Sequence, residues 1–557
     1  VLRAALALDP FNARALRALL RRIAAQPADG DDTATRARRR EMASLLDRLA
    51  DVEKDPEQKT TISLELAEVH VRLGDVAAAE RALVAAVARS PSNPRAFTRL
   101  AGLFRRLDRT DRAVKTDHVG YARALSAVIA LGQQLGQLDA RWFAALGQLE
   151  IHHLSRTRDG IGHLQRAIAL DPTLYETRFE LAAAHTHAGA NGDATRILMT
   201  MVAPTALPLL SIADPPAAIA LLEQALSGER RTDEAVVASE LRAIAGELAA
   251  EKVSWLRSRR LPSTEAQHAG LDRPTLVTHV LPAEGRHVLL EVAAAMAGVE
   301  AKLLRSDLGE LGLSSRDRIT SRSGHATRVL LDRVTRKLGV DEIELAVSPR
   351  TTRVRVLAQD GPWVVVPPSF VERTEHAQIA GLTRAVARIA YGVPWLEELA
   401  PPQVLALLVA AARQVVPAYA TQDADPAASK LVAQHDASLA RVLTRRQRKL
   451  LEELTPHIAS AQARPPPADE FVHALARAEL RTAFVVTGDL LATIDEARAI
   501  DATLDRAAEA PGARALAAVL GHPLAGDAAR FALTPEATAL RRRLGSTWTD
   551  ARPAPSR

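Results

Sequence analysis

Cysteine is absent from this 557-residue chain. That absence removes disulfides, cysteine nucleophiles, thiolate zinc sites and iron–sulfur clusters at once. It suits a reducing compartment, and the cytoplasm is the expected location. Aromatic residues make up only 3% of the chain, against 47% hydrophobic residues overall. Cores must therefore be built from Ala, Leu and Val, which favours close-packed helices over a β-sandwich. No apolar run reaches the roughly 18 residues that a membrane-spanning helix needs, so no membrane insertion is expected. A strong excess of one charge is also lacking: 72 Lys and Arg face 66 Asp and Glu, a formal net charge of +6. No region joins a basic stripe to interleaved aromatics, so nucleic acid is not the expected partner. Three catalytic signatures are missing too: the H-E-x-x-H zinc helix, the G-x-x-x-x-G-K-[ST] phosphate loop and the G-x-S-x-G nucleophile elbow.

What is present is a helical array. Leu8-Asp9-Pro10, Ser90-Pro91 and Leu170-Asp171-Pro172 each close one apolar-periodic helix and open another. The clearest unit begins near Thr60. Leu66 and Ala67 lie on a first helix, Leu73-Gly74-Asp75 makes the turn, and Ala79, Leu83 and Ala86 line a second helix ended by Pro91. Small residues at the crossing let two backbones approach, Gly permits positive φ, and Pro stops the helix. These residues resemble the tetratricopeptide repeat, with Ser63 and His70 where aromatics are usual. A second unit runs from Pro94 through Phe97, Leu100, Ala101 and Phe104 to Ala113, and a third covers Leu164, Ala167, Pro172, Leu181, Ala182, Gly189, Ala194 and Leu198. Residues 36–52 and 121–137 read as amphipathic insertions. Val1 begins inside a helix-like segment, so the opening stretch reads as the tail of an earlier repeat and the chain as a fragment.

In proteins of the tetratricopeptide type the first helices line the concave side. The resemblance therefore implies a protein partner of unspecified identity, met by Glu68, Arg95, Thr98, Arg105 and Glu176. Leu64 and Glu68 stand where a carboxylate clamp needs Lys and Asn, so that ligand is not proposed.

Beyond about residue 281 the pattern changes. Helices at 286–297 and 324–338 precede three β-type runs, Glu342–Val347, Thr352–Leu357 and Trp363–Val366, with Asp360-Gly361 as a turn signal. Helices follow at 378–391, 402–416, 431–443 and 445–454, then a Pro465-Pro466-Pro467 loop, then helical sequence from 470 to 544. This order, with PWVVVPPSFV at 362–371, RAELRTAFVVTGDL at 477–490 and RFALTPEATALRRRL at 530–544, resembles the gluzincin metallopeptidases of the M48 type. It resembles most the degenerate M48-like domain that ends large bacterial tetratricopeptide proteins. Active members carry two zinc-binding His at i and i+4 and a Glu base on the helix after that strand. The resemblance implies that Arg384, Ala385 and Arg388 occupy those places. It puts Ala476 near the place of the downstream ligand carboxylate, with Glu479 close by. A fold without its chemistry is implied, with no catalytic residue, no metal and no cofactor.

The expected fold is thus mostly α: a tetratricopeptide-like solenoid over 1–257, a linker over 258–281, and an α+β domain with a small sheet over 282–557. The function expected is a non-catalytic interaction scaffold. Two alternatives stay open: an enzyme with a non-zincin site in a cleft between the two parts, and a nucleic-acid-associated scaffold. The second would use the basic patch Arg445, Arg446, Arg448 and Lys449, or Arg541-Arg542-Arg543; both also read as solvated helix ends.

Other residues invite sharper readings. His152-His153 and His185-x-His187 suggest metal, yet helix neighbours at i+1 or i+2 diverge, so these read as surface or half-buried histidines. His376 has no evident second ligand. Glu397-Glu398 and Glu452-Glu453 read as solvated faces for the same reason of divergence. Ser321, Ser323 and His325 are close in sequence only.

Overall fold

The computed structural model describes residues 1–25, 33–89, separate positions between 118 and 136, 138–202, 208–258, 270–304, 308–358, 361–421, 426–460, 463–507 and 510–547. The chain divides into two compact units, Val1–Ile197 and Leu198–Arg557.

The described part of the first unit is helical: α1 (Leu2–Leu8), α2 (Ala13–Ala24), α3 (Thr33–Val52), α4 (Pro56–Leu73), α5 (Val76–Arg89), α6 (Ala140–His152), α7 (Thr157–Leu170) and α8 (Tyr175–His187). Consecutive helices pack in pairs, α4 on α5 and α6 on α7 most extensively. The α4–α5 pair follows from local chemistry. Asp55 caps α4 by accepting from the Glu57 amide, and Pro56 occupies its first turn. Gly74 ends it at φ +74°, a left-handed cap that an L side chain would strain. Asp75 then accepts from the Ala78 amide at 3.1 Å and starts α5. Ala67, Ala79, Leu83 and Ala86 are buried at the crossing, as their spacing predicts.

The α6–α7 crossing uses glycine instead. A Cβ on Gly147 would come within 2.8 Å of the Gly160 carbonyl oxygen, and a Cβ on Gly160 equally near that of Gly147. Neither glycine stood out in the sequence. Residues 36–52 belong to α3, which packs on both α2 and α4 through Leu45, Leu46 and Leu49. Most of 121–137, and the second repeat from Pro94 to Ala113, lie outside the described residues.

The second unit contains α9 (Pro215–Gly228), α10 (Thr232–Ile244), α11 (Ala326–Leu338), β1 (Glu344–Val347), β2 (Arg355–Ala358), β3 (Pro362–Val366) and α12 (Glu375–Ala390). It continues with α13 (Pro401–Arg413), α14 (Pro426–Val442), α15 (Arg445–Glu453), α16 (Ala468–Thr487), α17 (Leu490–Ile500) and α18 (Pro535–Arg543), among shorter helices. The sheet order is β1-β3-β2. β3 runs parallel to β1, pairing Glu344 with Trp363 and Val347 with Val366, and antiparallel to β2, pairing Arg355 with Val365. Trp363 to Val366 are all buried, the unbroken apolar run of a central strand, and Pro362 is confined to its first position. The three expected strands are present: β1 and β2 begin two and three residues later than expected, and β3 one residue earlier. The Asp360 half of the expected turn lies outside the described residues.

Helices α9 and α10 pack within this unit, although their sequence reads as part of the repeat array. Asp233 on α10 pairs with Arg541 on α18 at 3.1 Å. Glu240 accepts from the Leu490 amide at 3.1 Å, and Arg231 donates to the Leu533 carbonyl. Helical periodicity marks which face is buried; it does not say against what. Of the expected linker, 259–269 lie outside the described residues, while Leu276 and Val280 are fully buried.

Candidate functional site

From Gln378 to Arg388, α12 has no solvent face. Thr374 caps it, and every side chain from Gln378 to Arg388 is buried between β3, α11, α16 and α17. Gln378 is satisfied at both ends: it accepts from Thr327 at 2.9 Å and donates to the carbonyls of Val371 and Arg373. The same helix carries two arginines into the interior. Arg384 is 2% exposed and Arg388 3%. A buried charge must be paired and hydrogen-bonded, or it costs several kcal/mol.

Both are paired. Arg388 forks onto Glu479 of α16, its Nε donating to Oε1 and its Nη2 to Oε2, each at 2.8 Å. Nη2 also donates to Glu397 at 2.9 Å. Arg384 donates through Nη1 to the same Glu397 oxygen at 3.2 Å and lies 3.6 Å from Glu479. Its Nε is 3.5 Å from Glu496 of α17, which also takes a 2.9 Å hydrogen bond from Arg373. Three guanidiniums thus meet three carboxylates, and Arg353 adds a further positive charge that acts on Glu397. Arg384 Nη2 reaches further, to the Val354 carbonyl just before β2 at 3.5 Å. Tyr391, fully buried beside the cluster, meets Thr482 at 3.4 Å; burial pushes its phenol above the ordinary range.

Burial alone would raise Glu397, but the Arg388 and Arg384 guanidiniums outweigh it and hold the carboxyl down to about 2. Arg388 is held firmly cationic: burial works against its charge, and Glu479 and Glu397 prevail. Glu397 is thus the shared counter-ion of the two guanidiniums. A carboxylate held below its ordinary value stabilises the fold above that value and loses this contribution as pH falls. Between pH 5 and pH 3 the cluster should therefore lose about 2 kcal/mol through Glu397. Urea titrations across that window check this; Glu397→Gln should flatten the loss and start from a lower stability at neutral pH.

The residues singled out in the sequence now have places. Glu479 is the carboxylate of α16 that reaches α12. Glu397 is no solvated residue, and Glu496 was not singled out at all. Adjacent glutamates read as a wet face, and nothing local shows that Glu496 meets residues far earlier in the chain. Arg541 is not part of a basic patch: it is 1% exposed, paired with Asp233, bonded to the Ser546 carbonyl at 2.7 Å and stacked on Phe484. Arg445, Arg446 and Lys449 do lie exposed on α15, whose start is capped by Thr444 and Gln447, while half-buried Arg448 donates to the Ala440 carbonyl.

In the first unit, Glu68 is exposed on α4 and pairs with Arg72 at 3.0 Å, and Glu176 is exposed in the first turn of α8. Arg95, Thr98 and Arg105 lie outside the described residues. The histidines have separate partners. His152 meets Glu180 at 3.0 Å, His153 stacks on His118 at 3.8 Å between ring centroids, and His187 bonds the Ala183 carbonyl. His376 lies 3.4 Å from Asp489, and His325 caps α11 by accepting from the Thr327 amide. Among the described residues no group of three or more His, Asp and Glu is arranged to hold a metal ion.

Residues 61–103 match the tetratricopeptide repeat family. The match covers most of α4, all of α5 and the start of the next repeat. The chain therefore contains a tetratricopeptide repeat, a module that generally mediates protein–protein interaction. No curated protein matches the chain. Among the described residues, no helix is long and apolar enough to cross a membrane.

Proposed function

We propose that this protein is a non-catalytic protein–protein interaction scaffold of the cytoplasm. Its first unit presents a tetratricopeptide-like surface to a protein partner, with Glu68 and Glu176 on it. Its second unit is a degenerate gluzincin of the M48 type that serves as a docking or structural module. One observation carries this reading: Arg384 and Arg388, one turn apart on a buried helix after a central strand, close on Glu479 from a later helix. A zinc helix offers two imidazoles at i and i+4 and draws a third ligand from elsewhere in the fold. Here guanidiniums hold those two positions, so the positive charge comes from the chain itself. Arginine does not ligate zinc, and Ala385 takes no proton.

The test is affinity co-purification of the full chain from its native host, with nuclease and at two salt concentrations. A stoichiometric protein partner retained under both conditions is the expected result. Material that vanishes with nuclease and falls steeply with salt would make the basic patch of α15 the functional surface instead. Recovery of no partner would remove the scaffold reading.

A further inference from the structure

Lysine is rare in this chain: 64 of its 72 cationic side chains are arginine and only 8 are lysine. Arginine never sheds its proton, whereas a lysine does so readily once buried. Lys337, in the last turn of α11, is so placed. Its Nζ is shielded from solvent and has no hydrogen-bond partner. No carboxylate pairs with it among the described residues, and the charge that acts on it is that of Arg333, one turn earlier. Arg333 is itself paired with Glu375 at 2.8 Å, and Arg336 turns back to the Asp332 carbonyl at 3.1 Å.

A surface lysine normally buries its stem and keeps its head in water. Lys337 is reversed: the residue is half-buried, and what exposure it has lies elsewhere than on its amine. The backbone beneath it is pinned. The Leu271 amide donates to the Lys337 carbonyl at 2.7 Å, and a Cβ on Gly270 would come within 2.9 Å of that oxygen. An unpaired ammonium out of water is costly, so the position favours the neutral amine. Burial, and then the Arg333 charge, push Lys337 below the ordinary lysine range.

We propose that Lys337 is a modification site, its neutral amine taking an acyl group from an acyl phosphate. Rotation about the bonds of its own half-buried stem brings Nζ out to the donor. The amine lone pair attacks the acyl carbon and a C–N bond forms. The bond from that carbon to the phosphate oxygen breaks, phosphate leaves with the electron pair, and the proton of the amine passes to water. The product is an uncharged amide, which an unpaired position holds at less cost than an ammonium. Imine formation with an aldehyde suits the site less well, because loss of water from the carbinolamine needs an acid in reach and Nζ has none. The site is independent of the scaffold reading.

The experiment is incubation of the full chain with acetyl phosphate at neutral pH, with initial acetylation rates read at each lysine by peptide mass spectrometry. Exposed Lys302, Lys430 and Lys449 are internal references. Lys337 should react about tenfold faster than they do, and its rate should level off at lower pH. Lys337→Met should keep the thermal midpoint within about 2 °C of the parent, since no charge is lost. A Lys337 rate no higher than the references, a pH profile parallel to theirs, or a large loss of stability in Lys337→Met would each overturn the proposal.

Discussion

Arg388→Ala is expected to destabilise the second unit by about 3–5 kcal/mol, the largest effect of any single substitution considered for this protein. The reason is what remains behind. Arg388 supplies both hydrogen bonds that Glu479 receives in the fork and one that Glu397 receives. Glu479 is 1% exposed, so without its fork it would be a nearly dry carboxylate facing Arg384 alone at 3.6 Å. Coulomb attraction at that distance does not replace two charge-assisted hydrogen bonds. The paired replacement should behave quite differently. Arg388→Met with Glu479→Leu removes one charge of each sign and leaves Arg373 and Arg384 against Glu397 and Glu496. Buried ion pairs exchanged for apolar groups of similar volume are often neutral or stabilising, so the double variant should lie within about 1 kcal/mol of the parent. Urea unfolding followed by tryptophan fluorescence checks both. A double variant as unstable as Arg388→Ala would mean that the helix, and not its charges, was disrupted.

Arg541→Ala should cost about 3 kcal/mol or more for a related reason. This side chain joins α18 to α10 through Asp233, to the segment after α18 through the Ser546 carbonyl, and to the Phe484 ring of α16. Truncation withdraws the buried cation from Asp233 and the donor from Ser546, and it empties a volume in a close-packed region. Its two neighbours form an internal control. Arg542 and Arg543 are exposed, and substituting either should change stability by no more than about 0.5 kcal/mol. Equal effects at all three positions would mean that Arg541 is solvated like its neighbours.

Those three arginines show where sequence reading stops. Position 541 looks identical to 542 and 543 in a run, and only the packing of α18 on α10 and α16 separates them. The repeat was legible because its information is local. Ala67, Gly74, Ala79 and Ala86 recur at spacings fixed by two crossing helices, and each residue type has a steric reason. The central strand was legible because Trp363–Val366 is an unbroken apolar run. α12 was legible as a helix, and its two arginines were singled out in the sequence. Their partners were hidden. Glu397 stands beside Glu398 in a pair that reads as wet, and Glu496 is brought to Arg384 only by the way α17 lies against α12. The grouping of α9 and α10 with the second unit was hidden for the same reason, since both have the pattern of any amphipathic helices. α10 is tied into the second unit by packing on α17, α18 and the helices between them, and by polar contacts from Asp233, Glu240 and Arg231.

We propose that the Arg384–Arg388 pair stands in place of a metal site. Zinc binding by the double variant Arg384→His with Arg388→His, made in the 557-residue chain, tests it most directly. Neutral imidazoles would leave the cluster short of two positive charges, which one Zn²⁺ restores, with Glu479 as third ligand. Elemental analysis should find no stoichiometric zinc in the parent and about one per chain in the variant, lost again when Glu479→Ala is added. A folded variant that takes up no zinc, or a parent that already holds it, would contradict the account.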